Sequence, residues 1–150
     1  MSVDRPEETL DLVARYSGMD RRYSRSHQIE ITGNGSVLVE LAELLTSAKG
    51  SVIRTLTVPS QELAAPYDGF LSQLRRDVRD ESDEKLLVKR RDNELYICGP
   101  PEALELFAQN IRFLAEDKSQ FSGNHLHVEY YPDHFFLSSA SDGLIFERSE

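Results

Sequence analysis

The stretch from Gln28 to Val58, QIEITGNGSVLVELAELLTSAKGSVIRTLTV, decides the fold. Ile29 and Ile31 alternate with Glu30 as along a half-buried strand, and Gly33-Asn34-Gly35 then turns the chain. Ser36 is placed to cap a helix whose Val37, Leu38, Leu41, Leu44, Leu45 and Ala48 recur at the 3.6-residue period. Gly50 stops that helix, and the β-branched run from Ser51 to Val58 predicts a second strand, ended by Pro59. Strand, helix and strand in that order read as a β-α-β unit.

The same grammar returns 66 positions later. Leu95 and Ile97 stand where Ile29 and Ile31 stood, and Gly99 takes the place of Gly33. Ala103, Leu104, Phe107, Ile111 and Leu114 repeat the helical positions of Val37, Leu38, Leu41, Leu45 and Ala48. Pro101 and Glu102 suit the first turn of a helix, and Gly123 separates it from a strand over His125 to Tyr131. The pattern repeats although the residues do not, and it predicts two helices packed through equivalent faces on one sheet.

Around these units, residues 1–26 form an N-terminal helix and linker. Pro6 to Tyr16 supplies the helix, Gly18 its stop, and Asp20 to Arg25 a basic patch. Pro59 to Gly69 is a loop. Residues 68–79 predict an amphipathic connecting helix with Phe70, Leu71, Leu74 and Val78 on one side, followed by an acidic turn at Asp80 to Glu84. Lys85 to Arg91 and Glu94 to Cys98 form a hairpin across Asp92-Asn93, residue types that tolerate positive φ. Phe135 to Leu137 and Leu144 to Glu147 then close the chain as a pair of strands around Ser141-Asp142-Gly143. The expected architecture is a single α/β (α+β) domain over 1–150. Its first βαβ unit spans 28–58 and its second, of order ββαββ, spans 85–148, and the two form one mixed sheet covered by helices.

Composition narrows the function classes. Apolar residues make up 39% and charged residues 29% of the 150, a balance that supports a packed core. A formal charge of −9 disfavours nucleic acid and anionic membrane and favours a basic protein partner. One cysteine, Cys98, excludes an internal disulfide and points to a reducing, cytoplasmic compartment. The first ten residues lack the build of a signal peptide, and no apolar run reaches bilayer length.

The most distinctive chemistry lies in Asn124 to His134, which holds three of the four histidines. Alternation sends His125, His127, Glu129 and Tyr131 to one side and Leu126, Val128 and Tyr130 to the other. With Asp133, His134 and Phe136 beside it, this row is the expected partner-binding surface, because imidazoles and aromatics present large, amphipathic contact area. Two rivals stand beside that reading. In one, His125 and His127 begin a metal centre, with Glu129 and His134 or His27 as further ligands, and support a hydrolase or an oxygenase. In the other, the strand is structural, its imidazoles hydrogen-bonding within a polar sheet face or the strand pairing with its copy in a second chain.

Gly33 to Ser36 lacks the third glycine of a dinucleotide fingerprint and the Lys-Ser/Thr of a P-loop. Cys98 has no recognisable base tied to it. No serine elbow, HExxH motif or paired carboxylates of fixed spacing occur, so neither an enzyme nor a cofactor is expected.

Gly99-Pro100-Pro101-Glu102-Ala103-Leu104, the following helix, His125-Leu126-His127-Val128-Glu129 and the terminal Leu144-Ile145-Phe146-Glu147-Arg148 resemble a family of small bacterial immunity proteins from polymorphic toxin systems. The resemblance spans about Leu95 to Arg148. The long N-terminal half and the link Tyr130 to Phe136 depart from the family's pattern. What the resemblance implies is neutralisation of a toxin by direct binding, without catalysis.

Overall fold

A computed structural model describes residues 9–18, 28–47, 50–79, 85–116, 125–128, 134, 136–138 and 140–149. Among the described residues the chain forms ten strands and two α-helices. In order these are β1 (Thr9–Leu10), β2 (Val13–Ser17), β3 (Gln28–Asn34), α1 (Gly35–Leu45), β4 (Ser51–Leu56), β5 (Gly69–Leu71), β6 (Gln73–Val78), β7 (Leu87–Arg91), β8 (Glu94–Gly99), α2 (Pro101–Glu116), β9 (His125–Val128) and β10 (Gly143–Ser149). A 3-10 turn, Gln61–Ala64, lies between β4 and β5.

The α+β class expected from the sequence is what the chain adopts, but the strands build two sheets where one was expected. The first sheet has the order β1-β4-β6-β8-β7 and the second β5-β2-β3-β10-β9. The strands flanking each helix therefore part company. β3 enters the second sheet and β4 the first, while β8 enters the first and β9 the second. Neither strand-helix-strand stretch is a β-α-β crossover within one sheet. Besides β1 with β4, the parallel neighbours are β3 with β10 and β6 with β8, and these last two join each sheet at its middle by strands from opposite halves of the chain.

Two expected helices are strands. The N-terminal segment over 6–16 is β1 and β2 among its described residues, and the segment over 68–79 is β5 and β6. Phe70, Leu71, Leu74 and Val78 do match a helical period. However, β6 alternates, with Leu74 and Arg76 both fully buried between outward neighbours, and that inward alternation is disguised by a charged residue. Ser72 separates the two strands, its N–H donating to the Asn93 carbonyl at 2.9 Å. Both segments gain ladder partners on two sides, β2 from β3 and β5, and β6 from β4 and β8. Such non-local pairing overrides local propensity. The acidic turn at 80–84 and the basic patch at 20–25 lie outside the described residues.

Helix starts follow the expected chemistry with one shift. Asn34, not Ser36, caps α1, its side chain accepting from the Val37 N–H at 2.9 Å. The β7–β8 hairpin turns at Asp92 with φ 56, as the residue pair there allows. The expected closing pair is different. Leu137 bridges in parallel to Leu86 beside β7, and β10 pairs instead with β3 and β9.

The two helices pack on each other, and both sheets and both helices contribute to one apolar cluster. Phe107 of α2 sits near its centre, fully buried, with its ring 5.8 Å from Phe146 edge-on and 6.5 Å from Phe136. Phe107→Ala should therefore lower stability by about 3–5 kcal/mol, read as a shifted denaturant midpoint, because the surrounding elements cannot collapse into the space.

Candidate functional site

β9 is the last strand of the second sheet, and among the described residues it pairs with β10 alone. Its alternation is the one read from the sequence. His125 and His127 are exposed, while Leu126 packs against the core and Val128 is buried. Antiparallel register sets His125 opposite Glu147 and His127 opposite Ile145. The His125 Nε2 lies 3.9 Å from a Glu147 carboxylate oxygen, with side chains 41% and 40% exposed. The rings of His125 and His127 are 6.4 Å apart and inclined at 52°.

Register carries the same face across the whole sheet. Ile145 lies beside Glu30, Glu30 beside Arg15 and Arg15 beside Phe70, so a row from His127 to Phe70 crosses all five strands. A second row runs from His125 through Glu147 and Thr32 to Val13. At the β2 end the surface is fixed. Arg15 Nε donates to Glu30 at 2.8 Å, a second guanidinium nitrogen reaches the Ala64 and Ala65 carbonyls at 3.3 and 3.1 Å, and the Tyr67 ring stacks on the guanidinium at 4.4 Å. Burial, and after it the negative charge of Glu30, raises the Tyr67 phenol above its ordinary value. Arg15 opposes that rise and Glu147 adds to it. At the β9 end imidazoles, a carboxylate and the partly buried Ile145 face outward together.

The structure separates the expected site residues. His125 and His127 share an open face. Glu129, Tyr131 and Asp133 lie outside the described residues. His134 and Phe136 were expected on the presented row and are buried instead, 7% and 6% exposed. The cause is a local cap. His134 Nδ1 accepts from the Phe136 and Leu137 N–H groups at 3.3 and 3.1 Å, and the Phe136 ring stands edge-on to the imidazole at 4.7 Å. Lys85 Nζ donates to the His134 carbonyl.

This turn starts a segment that lies along β7. Leu86 N–H donates to the Phe136 carbonyl, Ser138 N–H to the Leu86 carbonyl, and Asp142 N–H to the Val88 carbonyl. The buried Asp142 carboxylate accepts from the Arg90 N–H at 2.9 Å. His134 is thus a structural acceptor that helps cover a sheet edge, a common need of exposed edges.

Arg15, Glu30, Tyr67, Ile145 and Glu147 were not read as site residues from the sequence. Only the alternation of Leu144-Ile145-Phe146-Glu147 signalled an outward Ile145 and Glu147, and that signal does not say what lies beside them. Among the described residues no group of three or more His, Cys, Asp or Glu side chains converges as a metal site would require. Cys98 is buried. At the Gly33 to Ser36 turn, a Cβ on Gly35 would meet the Ala115 carbonyl oxygen at 2.9 Å, so that glycine serves the close approach of α1 to α2.

A family model, Immunity protein 32, matches residues 94–149, which span β8, α2, β9 and β10. The C-terminal portion of this chain is similar to Immunity protein 32. That bears out the resemblance expected from Leu95 to Arg148. No curated protein and no solved structure matches the chain. The residues similar to Immunity protein 32 supply the two strands that carry His125, His127, Ile145 and Glu147. Among the described residues no helix is long and apolar enough to cross a membrane.

Burial, with Lys85 second, holds the His134 pKa below its ordinary value. Above about pH 6.5 the imidazole is neutral in folded and unfolded chains alike, and its contribution is complete. As pH falls toward the folded-state value, the unfolded chain takes up the proton first and stability is lost. Stability measured from pH 7 to pH 5 should therefore fall more steeply in the wild type than in His134→Asn, whose amide oxygen accepts the same N–H groups without titrating. His134→Ala should cost about 1–3 kcal/mol at neutral pH by leaving two buried donors without this acceptor.

Proposed function

We propose that this chain is an immunity protein that neutralises a cognate toxin by direct, non-catalytic binding in the cytoplasm. The observation that carries the reading is the match to Immunity protein 32 over the strands that hold the exposed imidazole face. The docking surface is the open end of the second sheet: His125, His127, Ile145 and Glu147, continued along the chain by Glu129, Tyr131 and Asp133. His134 and Phe136 act beneath it as supports. Two exposed imidazoles around a partly buried isoleucine give the mixture of amphipathic anchors and polar rim that favours specific contact. The formal charge of −9 complements a basic toxin and speeds its encounter, while the anchors slow dissociation.

The test is co-expression with candidate toxins drawn from the genes adjacent to its own. The wild-type chain should restore growth and form a complex of defined stoichiometry with the purified toxin domain. His127→Ala with Ile145→Arg should weaken that complex by about thirtyfold or more, as loss of a central anchor does, while leaving the melting temperature nearly unchanged. A melting temperature that falls in step with affinity would show that these residues hold the fold and do not contact the toxin. A steep loss of association rate with added salt should accompany the wild-type complex.

A further inference from the structure

We infer that residues 13–78 and 87–149 are two copies of one hairpin-helix-hairpin module, and that the surface each copy offers the other fits the same module in a second copy of this chain. Units can then be exchanged between chains. The first module is β2, β3, α1, β4 and β6, and the second is β7, β8, α2, β9 and β10. The first hairpin of one module and the last hairpin of the other share a sheet in both cases. β2-β3 lies with β10-β9, and β7-β8 lies with β6-β4.

The registers coincide pair by pair. Val13 faces Thr32 and Ser17 faces Gln28, as Leu87 faces Cys98 and Arg91 faces Glu94. Across the parallel seams Gly143 meets Gln28 and Arg148 meets Gly33, as Gln73 meets Glu94 and Val78 meets Gly99. In the last hairpins Glu147 faces His125 as Asp77 faces Ser51. Three strand pairings in each sheet keep one alignment, a coincidence that fold class alone does not require.

Side chains repeat the correspondence. Gly33, one residue before the end of β3, lies against Leu12, which directly precedes β2, and Gly99, the last residue of β8, lies against Leu86, which directly precedes β7. A Cβ at either glycine would come within 2.6 and 3.1 Å of those residues. Tyr16 and Arg90 occupy equivalent positions and meet each other, ring to guanidinium, at 4.2 Å. Each last strand also sends an arginine to the C-terminus of its own module's helix. Arg76 donates to the Leu44 carbonyl at 2.8 Å, and Arg148 to the Ala115 carbonyl at 3.3 Å. These positions are two apart in register, because the site equivalent to Arg76 is Phe146, which packs on Phe107 instead.

The modules meet along the β3–β10 and β6–β8 seams and through α1 against α2. Nothing in those contacts depends on the two modules sharing a chain. The covalent connection is residues 79–86. Within one chain that short connection keeps the effective concentration of the partner module high, so the monomer prevails in dilute solution. Between chains every seam is retained and only association entropy opposes exchange, the usual condition for domain swapping.

Complementation in trans tests this on the full chain. Leu38→Asp with Leu41→Asp disables the first module, and Leu104→Asp with Phe107→Asp disables the second at equivalent buried sites. Each variant alone should lack a cooperative melt. Refolded together with different tags at high concentration, they should regain one, in a species that holds both chains at twice the single-chain mass. A mixture that behaves as the sum of two unfolded variants would overturn the proposal. Should the aspartate variants precipitate, a chain carrying a protease site at 80–84 decides. After cutting, its two fragments should remain a folded pair, and differently tagged pairs should trade fragments after unfolding and refolding. Cut fragments that fall apart would overturn it equally.

Discussion

Neither half of this chain completes a sheet from its own strands, and the rest of the structure depends on that constraint. The parallel seams β3–β10 and β6–β8 are the points at which the halves supply each other's missing neighbours. Parallel pairing requires a long connection, and here residues 79–93 join β6 to β8 while residues 35–142 lie between β3 and β10. The core forms only when both seams close, since α1 and α2 bury their apolar faces against each other and against strands from both halves. Packing, register and the exposed face of β9 therefore share one cooperative event.

That arrangement also determines which sheet edges are covered. The first sheet ends at β7, whose outer edge is occupied by the segment after His134, through backbone bonds and the Asp142 carboxylate. His134, expected on the presented row, instead caps this cover. At the far side of the second sheet β9 keeps one described partner, and its outward residues are His125 and His127. Covering one edge with the chain that follows β9 places the end of the other sheet beside solvent-facing imidazoles. The segment similar to Immunity protein 32 supplies both.

The site is chemically uneven. Arg15, Glu30 and Tyr67 form a fixed network at one end of the face, where charges are paired and side chains have little freedom left to lose. His125, Glu147 and His127 at the other end are looser, with a single long ion pair among them. Exposed pairs of that kind contribute little to stability. They are accordingly free to be spent on contact with another molecule, which is the physical basis for reading this end as the docking surface.

Local pattern alone was enough for both helices, the β7–β8 hairpin with its Asp92 turn and the strand at His125, since each rests on periodicity or turn chemistry within a few residues. It failed over 68–79, where Arg76 at an inward position hid a strand, and over 6–16, where two strands draw their stability from partners far along the chain. It failed again at His134, whose polarity suggested a surface and whose Nδ1 in fact satisfies two buried N–H groups. The division into two sheets, and the meeting of His127 with Ile145, Glu30 and Arg15, came only from tertiary structure. Strand neighbours are chosen by register between separate segments, in the case of β3 and β10 more than a hundred residues apart, and no local pattern encodes that choice.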